Sequence, residues 1–520
     1  MRGTPTCVAA LRGAARARRA AGHRGRSCGE SRVDHRRRGR AVDERERERL
    51  RRQPSARAIT AALSLGGLTA SFMQTIIVPI QGELPELLDA PRTDTAWVVT
   101  ITLLTAAVAT PIAGRLGDMF GKRRIALATL AVMTLGSVIA ATVPGIAGLI
   151  VGRGLQGVGM GVLPLGISIM RDTLPERRLP GGIALMSATM GIGGAIGLPL
   201  SAIVAEHLDW RLLFWIAGAL GAICFAFILG AVPVSVLRTP GRFDWVGAIG
   251  LAAGVVGVLL ALSRGNEWGW ASPATLGLGG GGVAVLLAWG WYELRDRNPL
   301  VDLRIAVRRP VLLTNLSSML LSFGMFSFNI IIPQYIELPA ESGVGLGQTL
   351  FVASLAMLPF GVMMLVLAPV AGRLIGIVGP KALLVAGGIV VAIAYLVVIV
   401  DFSSVWPAIV SSFIGGVGIS VAFAAMPTLI MRSVPATETA AANGLNSLMR
   451  SIGTTLAAAV GGAILATLTH AFAGAELPTR GAFQLTFLIA LGASLLSAAI
   501  AAFIPRHAPH APGERAALPD

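Results

Sequence analysis

Most polar side chains able to do chemistry in this sequence sit alone inside long apolar runs. Gln74 and Gln81 lie seven residues apart, which is two helical turns and one face of one helix. Asn315 and Asn329 fall within roughly 40° of each other at about 100° per residue. Asn443, Asn446 and Arg450 make an i, i+3, i+7 stripe. Isolated polar groups are costly against hydrocarbon, so each stripe is a candidate lining for an internal cavity that takes a small molecule. Helix–helix hydrogen bonding is the alternative for each. Carboxylates are scarce in the same runs: Glu206, Glu337 and Asp401 fall at ends of runs, and Asp172 at another. There is no recognisable Ser–His–Asp set, zinc-type cluster or paired-acid site. The nearest approach to a phosphate loop, Gly117 to Arg123, spaces its glycines too closely and puts Arg123 where Ser or Thr is needed. Glycine-rich runs follow no strand, which excludes a dinucleotide fold. These residues point to recognition rather than catalysis, with no cofactor and no metal.

Such side chains need elements that hold them away from lipid. Of the 520 residues, 54% are hydrophobic and only 13% charged, with mean hydropathy +0.72. A soluble domain carries about 25% charged residues, because water meets its whole surface. The net charge of +16 is concentrated in residues 1–57, which hold 18 Arg against 6 acids. That Arg/Ala/Gly stretch has no apolar periodicity and reads as a disordered cytoplasmic tail touching anionic lipid, not as a nucleic-acid site or a signal peptide. Cys7, Cys28 and Cys224 imply no pairing framework.

Crossing a bilayer takes about 20 apolar residues in helical form. Stretches of this kind centre on 57–80, 95–113, 124–142, 145–170, 181–206, 211–234, 244–264 and 273–292. Six more follow at 309–336, 348–370, 382–400, 405–430, 440–470 and 483–504, which makes fourteen. With the N-terminus inside, the inner loops hold 17 Lys/Arg and the outer loops four (Arg92, Arg211, Arg264 and Arg480). The positive-inside rule requires that bias, and a missed helix would scramble it. Trp97, Trp268, Trp270, Trp289, Trp291 and Trp406 fall at helix ends, as an interfacial belt does. An internal repeat accompanies the spans: Gly114-Arg115-Leu116 with Gly121 recurs 258 residues later as Gly372-Arg373-Leu374 with Gly379. Both copies follow the second helix of a six-helix half once spans seven and eight are treated as an insert.

Three motifs carry a family resemblance. Gly114-Arg115-Leu116-Gly117-Asp118-Met119-Phe120-Gly121-Lys122-Arg123 resembles the loop signature, motif A, of the major facilitator superfamily. Its glycines permit a tight turn, and Asp118 can reach basic residues or a helix N-terminus. Arg153-Gly154-Leu155-Gln156-Gly157 resembles motif B, for which the family implies a part in proton coupling; an interfacial, snorkelling Arg153 is the alternative. Gly193-Gly194-Ala195-Ile196-Gly197-Leu198-Pro199 resembles motif C of drug:proton antiporters, with Leu198 standing where that motif has Gly directly before Pro. In span one the chain has Met73-Gln74-Thr75-Ile76-Ile77-Val78, without the Asp usual in the fourteen-helix branch, and Thr102 lies near the place of that branch's span-two Tyr.

The resulting expectation is an all-α membrane protein of the major facilitator fold, two six-helix halves plus two inserted central helices. The divisions are a 1–56 tail, a 57–234 half, a 235–308 insert and linker, a 309–505 half and a 506–520 cytoplasmic tail. The resemblance implies a monomeric, proton-coupled exporter of small hydrophobic or amphipathic compounds in the plasma membrane, with both termini inside. A transporter of one metabolite, including an importer, is the alternative. A missing mid-membrane acid leaves Asp118, Glu337 or the substrate itself to carry the coupling proton.

Overall fold

The computed structural model describes residues 55–505 apart from 78, 235, 236, 240, 297, 473 and 474. The expectations for the two tails therefore fall outside the described residues, save for positions 55 and 56. Fourteen long helices are present among the described residues. The first six are α1 (Ala56–Thr75), α2 (Trp97–Phe120), α3 (Lys122–Thr142), α4 (Gly145–Thr173), α5 (Leu179–His207) and α6 (Arg211–Ala231). Two follow as an insert, α7 (Trp245–Trp268) and α8 (Pro273–Glu293). The last six are α9 (Arg309–Glu337), α10 (Leu350–Ile377), α11 (Pro380–Val400), α12 (Trp406–Ser433), α13 (Thr439–Thr467) and α14 (Arg480–Ala502). Thirteen are long and apolar enough to cross a membrane; α1 is the exception. Its Ser64, Thr69 and Ser71 are buried against protein, so this helix need not be apolar all round.

Each half has its own core. One apolar cluster is drawn almost wholly from α1–α6, around Met73, Leu130, Leu213 and Phe214. The other is drawn almost wholly from α9–α14, around Phe328, Tyr335, Tyr395, Phe483 and Phe487. The outer faces are apolar as well: Leu287 is 71% exposed and Trp406 also 71%, which suits a lipid solvent. The insert is central in sequence and peripheral in space. Its α7 packs on α2 and α13, while α8 packs chiefly on α7.

Helix boundaries hold to within a few residues save that α10 runs on to Ile377 rather than 370, and three further points are corrected. The first span stops at Thr75, and Pro79–Gly82 forms a separate 3₁₀ turn, so Gln74 and Gln81 do not share a helix face. Gly114, Arg115, Gly117 and Asp118 belong to the last turns of α2 rather than to a loop. Only Gly121 turns the chain, at φ 106°, a region open to glycine and costly for other residues. Third, α13 ends at Thr467 and gives way to an antiparallel hairpin, Thr469–Phe472 with Ala475–Pro478, that the long apolar run had concealed. The repeat is visible in the backbone too, since Gly379 turns the chain between α10 and α11 at φ 85°.

Candidate functional site

A cavity of about 650 Å³ lies between the halves. Helices α1, α2, α4 and α5 face it from one side, and α9, α10, α12 and α13 from the other. Its wall reaches Gln81, Pro85, Glu337 and Leu350 at one end of the bundle. In the opposite direction it stops at Thr110 and Ser447. These lie roughly 12–15 Å short of the ends of α2 and α13, at 1.5 Å per residue. The cavity has a mouth at one end and a floor inside the molecule.

Contacts between the halves close the other end. Gly114 of α2 lies so near α13 that a Cβ there would be 2.4 Å from the Ala440 carbonyl oxygen. This close approach of backbones is what small residues in membrane helices permit. Asp118, one turn later, accepts the Ala441 backbone N–H at 2.9 Å through Oδ2. Ala441 is in the first turn of α13, where free N–H groups and the helix dipole favour negative charge. Lys122 Nζ lies 3.7 Å from Asp118 and donates to Asp172 at 2.8 Å, so one buried cation is shared by the two carboxylates. Arg171 donates to the Thr439 hydroxyl and to the carbonyls of Val434 and Pro435. Arg115 is buried nearby and acts electrostatically on Glu438. The linker after α6 joins the same cluster: the Thr239 N–H donates to the Asp118 carbonyl at 2.8 Å, and its hydroxyl to that of Thr437 at 3.0 Å. Arg123 stands outside the clamp and donates to the Leu229 carbonyl at 2.5 Å.

The motif B residues form a separate network. Arg153 is 1% exposed and donates to the carbonyls of Met73 (2.6 Å) and Val98 (3.3 Å) and to Gln156 Oε1 (2.8 Å). Gln156 passes the chain on to the Ser137 hydroxyl at 2.9 Å. The interfacial reading of Arg153 is thereby corrected: it is tied into the protein by oxygen acceptors. Neither it nor Gln156 or Gly157 lines the cavity. Gly157 instead lets α4 press on α2, since a Cβ there would meet the Thr102 carbonyl at 2.5 Å. The motif C glycines serve the same purpose elsewhere. Gly193 and Gly197 lie against Ser71 and Thr75 of α1, and beyond Pro199 the Ser201 hydroxyl donates to the Ile76 carbonyl at 2.7 Å.

The polar stripes divide in two. Gln74, Gln81, Asn329 and Arg450 line the cavity. Asn315 and Asn446 do not: Asn446 donates to Asn315 Oδ1 at 2.9 Å and to the Ser318 hydroxyl at 2.8 Å, which ties α13 to α9. Asn443 donates to Thr439 of its own helix. The three share one stripe of α13, along which Asn446 is taken up by α9 while Arg450 reaches the cavity. Met190 and Phe423, which hold the Arg450 guanidinium, were missed; their apolar runs carry no signal that singles them out. Ser447, Ser451 and Thr454 also line the cavity, and their i, i+4, i+7 spacing was a usable signal.

Comparison with known proteins agrees with this architecture. The model of the Major Facilitator Superfamily matches residues 63–362 and 314–519. The multidrug resistance protein Stp of Mycobacterium tuberculosis is 26% identical over 406 residues, covering 77% of this chain and 74% of that protein. The lincomycin resistance protein LmrB of Listeria monocytogenes is 29% identical over 409 residues, covering 77% and 85%. The tetracenomycin C resistance and export protein of Streptomyces glaucescens is 26% identical, covering 81% and 79%. Among solved structures, the proton:xylose symporter XylE superposes with TM-score 0.63 at 15% identity, covering 86% of this chain and 96% of that one. The human organic anion transporter MFSD10 gives 0.59 at 17%, covering 86% and 100%. The chain is thus a multi-pass membrane transporter rather than an enzyme, similar to multidrug exporters, and it belongs to the major facilitator superfamily.

Proposed function

We propose that the protein is a proton-coupled exporter of small hydrophobic or amphipathic compounds, working by alternating access in the plasma membrane. The observation that carries the reading is the cavity between the halves, open at one end and sealed at the other by the Asp118–Ala441 contact. Loop charge assigns the sealed end to the cytoplasm and both termini with it. The described conformation then faces outward, as it would after releasing cargo. The lining mixes aromatic and aliphatic side chains with amides and hydroxyls, which suits amphipathic cargo. Relatives named for drug resistance and export support the direction. Asp118, where the halves part, and Glu337, at the mouth, are the proposed proton carriers, and one chain suffices for the cycle.

The test is flux in proteoliposomes holding the purified protein, with an imposed pH gradient and a panel of labelled amphipathic compounds. Proton antiport predicts uphill movement of at least one compound, lost when a protonophore collapses the gradient. Movement that survives collapse, or runs only downhill, contradicts it.

A further inference from the structure

Arg450 and Glu337 are the two charged side chains on the cavity wall. They are not partners. The Asn446–Asn315 bond sets the register of α13 on α9, and Gly453 lies against Met319 in the same register. Arg450 is therefore level with the residues near 317, and Glu337 lies roughly 30 Å further along α9, at 1.5 Å per residue. A guanidinium has five N–H donors and no acceptor. In Arg450 a single nitrogen, Nη2, donates to the Met190 sulfur, and the guanidinium carbon lies 4.5 Å from the centre of the Phe423 ring. Sulfur is a weak acceptor. Among the described residues, neither a carboxylate nor a carbonyl receives a hydrogen bond from Arg450.

Arg153 shows what the same side chain looks like when its task is to hold helices together. It takes two carbonyl oxygens and an amide oxygen and leaves the cavity wall entirely. Arg450 does the reverse. It rests on a ring and a thioether, on a wall that near it carries Met160, Phe326, Phe360 and uncharged polar groups, the cavity's other charge, Glu337, being far off at the mouth. An uncompensated cation at this depth is costly and marks a place where a charged group is received.

We infer that the cavity selects amphipathic organic anions, an apolar body carrying one carboxylate or sulfonate, and that Arg450 is the residue that recognises the anionic group. The guanidinium fork matches two acidic oxygens, and the apolar wall takes the body. This inference rests on the exporter reading above and names its cargo. It requires that the preference for charge reside in Arg450, not in the bilayer or the mouth.

The experiment uses three probes with one apolar body: 1-pyrenebutyrate, 1-pyrenebutanol and 1-pyrenebutylamine. Equilibrium binding to the full-length protein in nanodiscs is measured first, then uphill flux in proteoliposomes. The acid is expected to bind about tenfold to a hundredfold more tightly than the alcohol, the range for a charge-assisted pair. Arg450→Gln should bring the acid-to-alcohol ratio close to one, and Arg450→Lys should keep part of it. A ratio is read because general damage lowers both terms together. Wild-type protein that binds the acid no better than the alcohol or the amine overturns the inference, as does an unchanged ratio in Arg450→Gln. Uphill flux of the alcohol or amine without selection of the acid keeps the exporter reading and discards the anion. Arg450-dependent binding of the acid without uphill flux of any probe discards the exporter and keeps the site.

Discussion

The halves touch through the same helix pairing twice, α2 on α13 and α10 on α5, yet the two contacts are chemically unequal. Both use a glycine where backbones nearly meet. A Cβ on Gly114 would be 2.4 Å from the Ala440 carbonyl oxygen, and one on Gly372 would be 2.7 Å from Gly181 Cα. Both helices are followed by a glycine with positive φ, Gly121 and Gly379, at the turn into the next helix. One turn beyond the contact the likeness stops. Asp118 grips the first turn of α13, whereas the position 258 residues later is Gly376, exposed and with open space around it. Lys122, the cation 3.7 Å from Asp118, corresponds in the same way to Pro380. Shape holds the halves together at both contacts; charge holds them at one. A charged clamp can be released by a proton or weakened by a neighbour, while a packed glycine cannot.

The comparison can be broken first at its shared part. Gly114→Val and Gly372→Val should each lower transport by about tenfold to a hundredfold, the equilibrium cost of overpacking by about 1–3 kcal/mol. Flux per inserted protein measures it, and normal flux in either variant would show that the contact is dispensable. The unequal part comes next. Asp118→Asn keeps an oxygen for the Ala441 N–H but loses the charge, and should shift the balance between closed and open ends by up to about tenfold. Labelling of Ser447→Cys, at the cavity floor, by a membrane-impermeant thiol reagent in inside-out vesicles reports that shift; unchanged labelling would reduce Asp118 to scaffold. Smallest of all, Gly376→Asp should leave flux within about twofold, because its side chain has room and no helix N-terminus to meet. A loss there as large as that of Asp118→Asn would mean the two contacts are electrically alike after all.

The helices were legible because lipid imposes one requirement over twenty residues at a time, and the loop charges supplied a second, independent reading. The ends were less so. The sequence carries the face of Gln74 on to Gln81 because Ile76, Ile77 and Val78 are as apolar as a helix interior, yet α1 stops at Thr75. Motif A read as a loop because Gly114, Arg115, Gly117 and Asp118 are poor membrane residues; α2 continues through them because Arg115 and Asp118 are buried by the other half. That partner is 323 residues away in the chain. The same separation hid the cavity. Periodicity placed Asn443, Asn446 and Arg450 on one stripe, but only the docking of α9 decides that Asn446 is bonded to Asn315 while Arg450 faces the space.

The central claim is that the two ends of the cavity open in alternation. Spin labels on Glu176→Cys and Ala436→Cys span the sealed end, and labels on Glu83→Cys and Glu341→Cys span the mouth, in protein with Cys7, Cys28 and Cys224 replaced. Pulsed dipolar distances in nanodiscs, with and without 1-pyrenebutyrate and in the Asp118→Asn background, test the claim directly. Alternating access predicts two populations in each pair, with the sealed end lengthening as the mouth shortens. Distances that stay fixed, or that lengthen together at both ends, would contradict it.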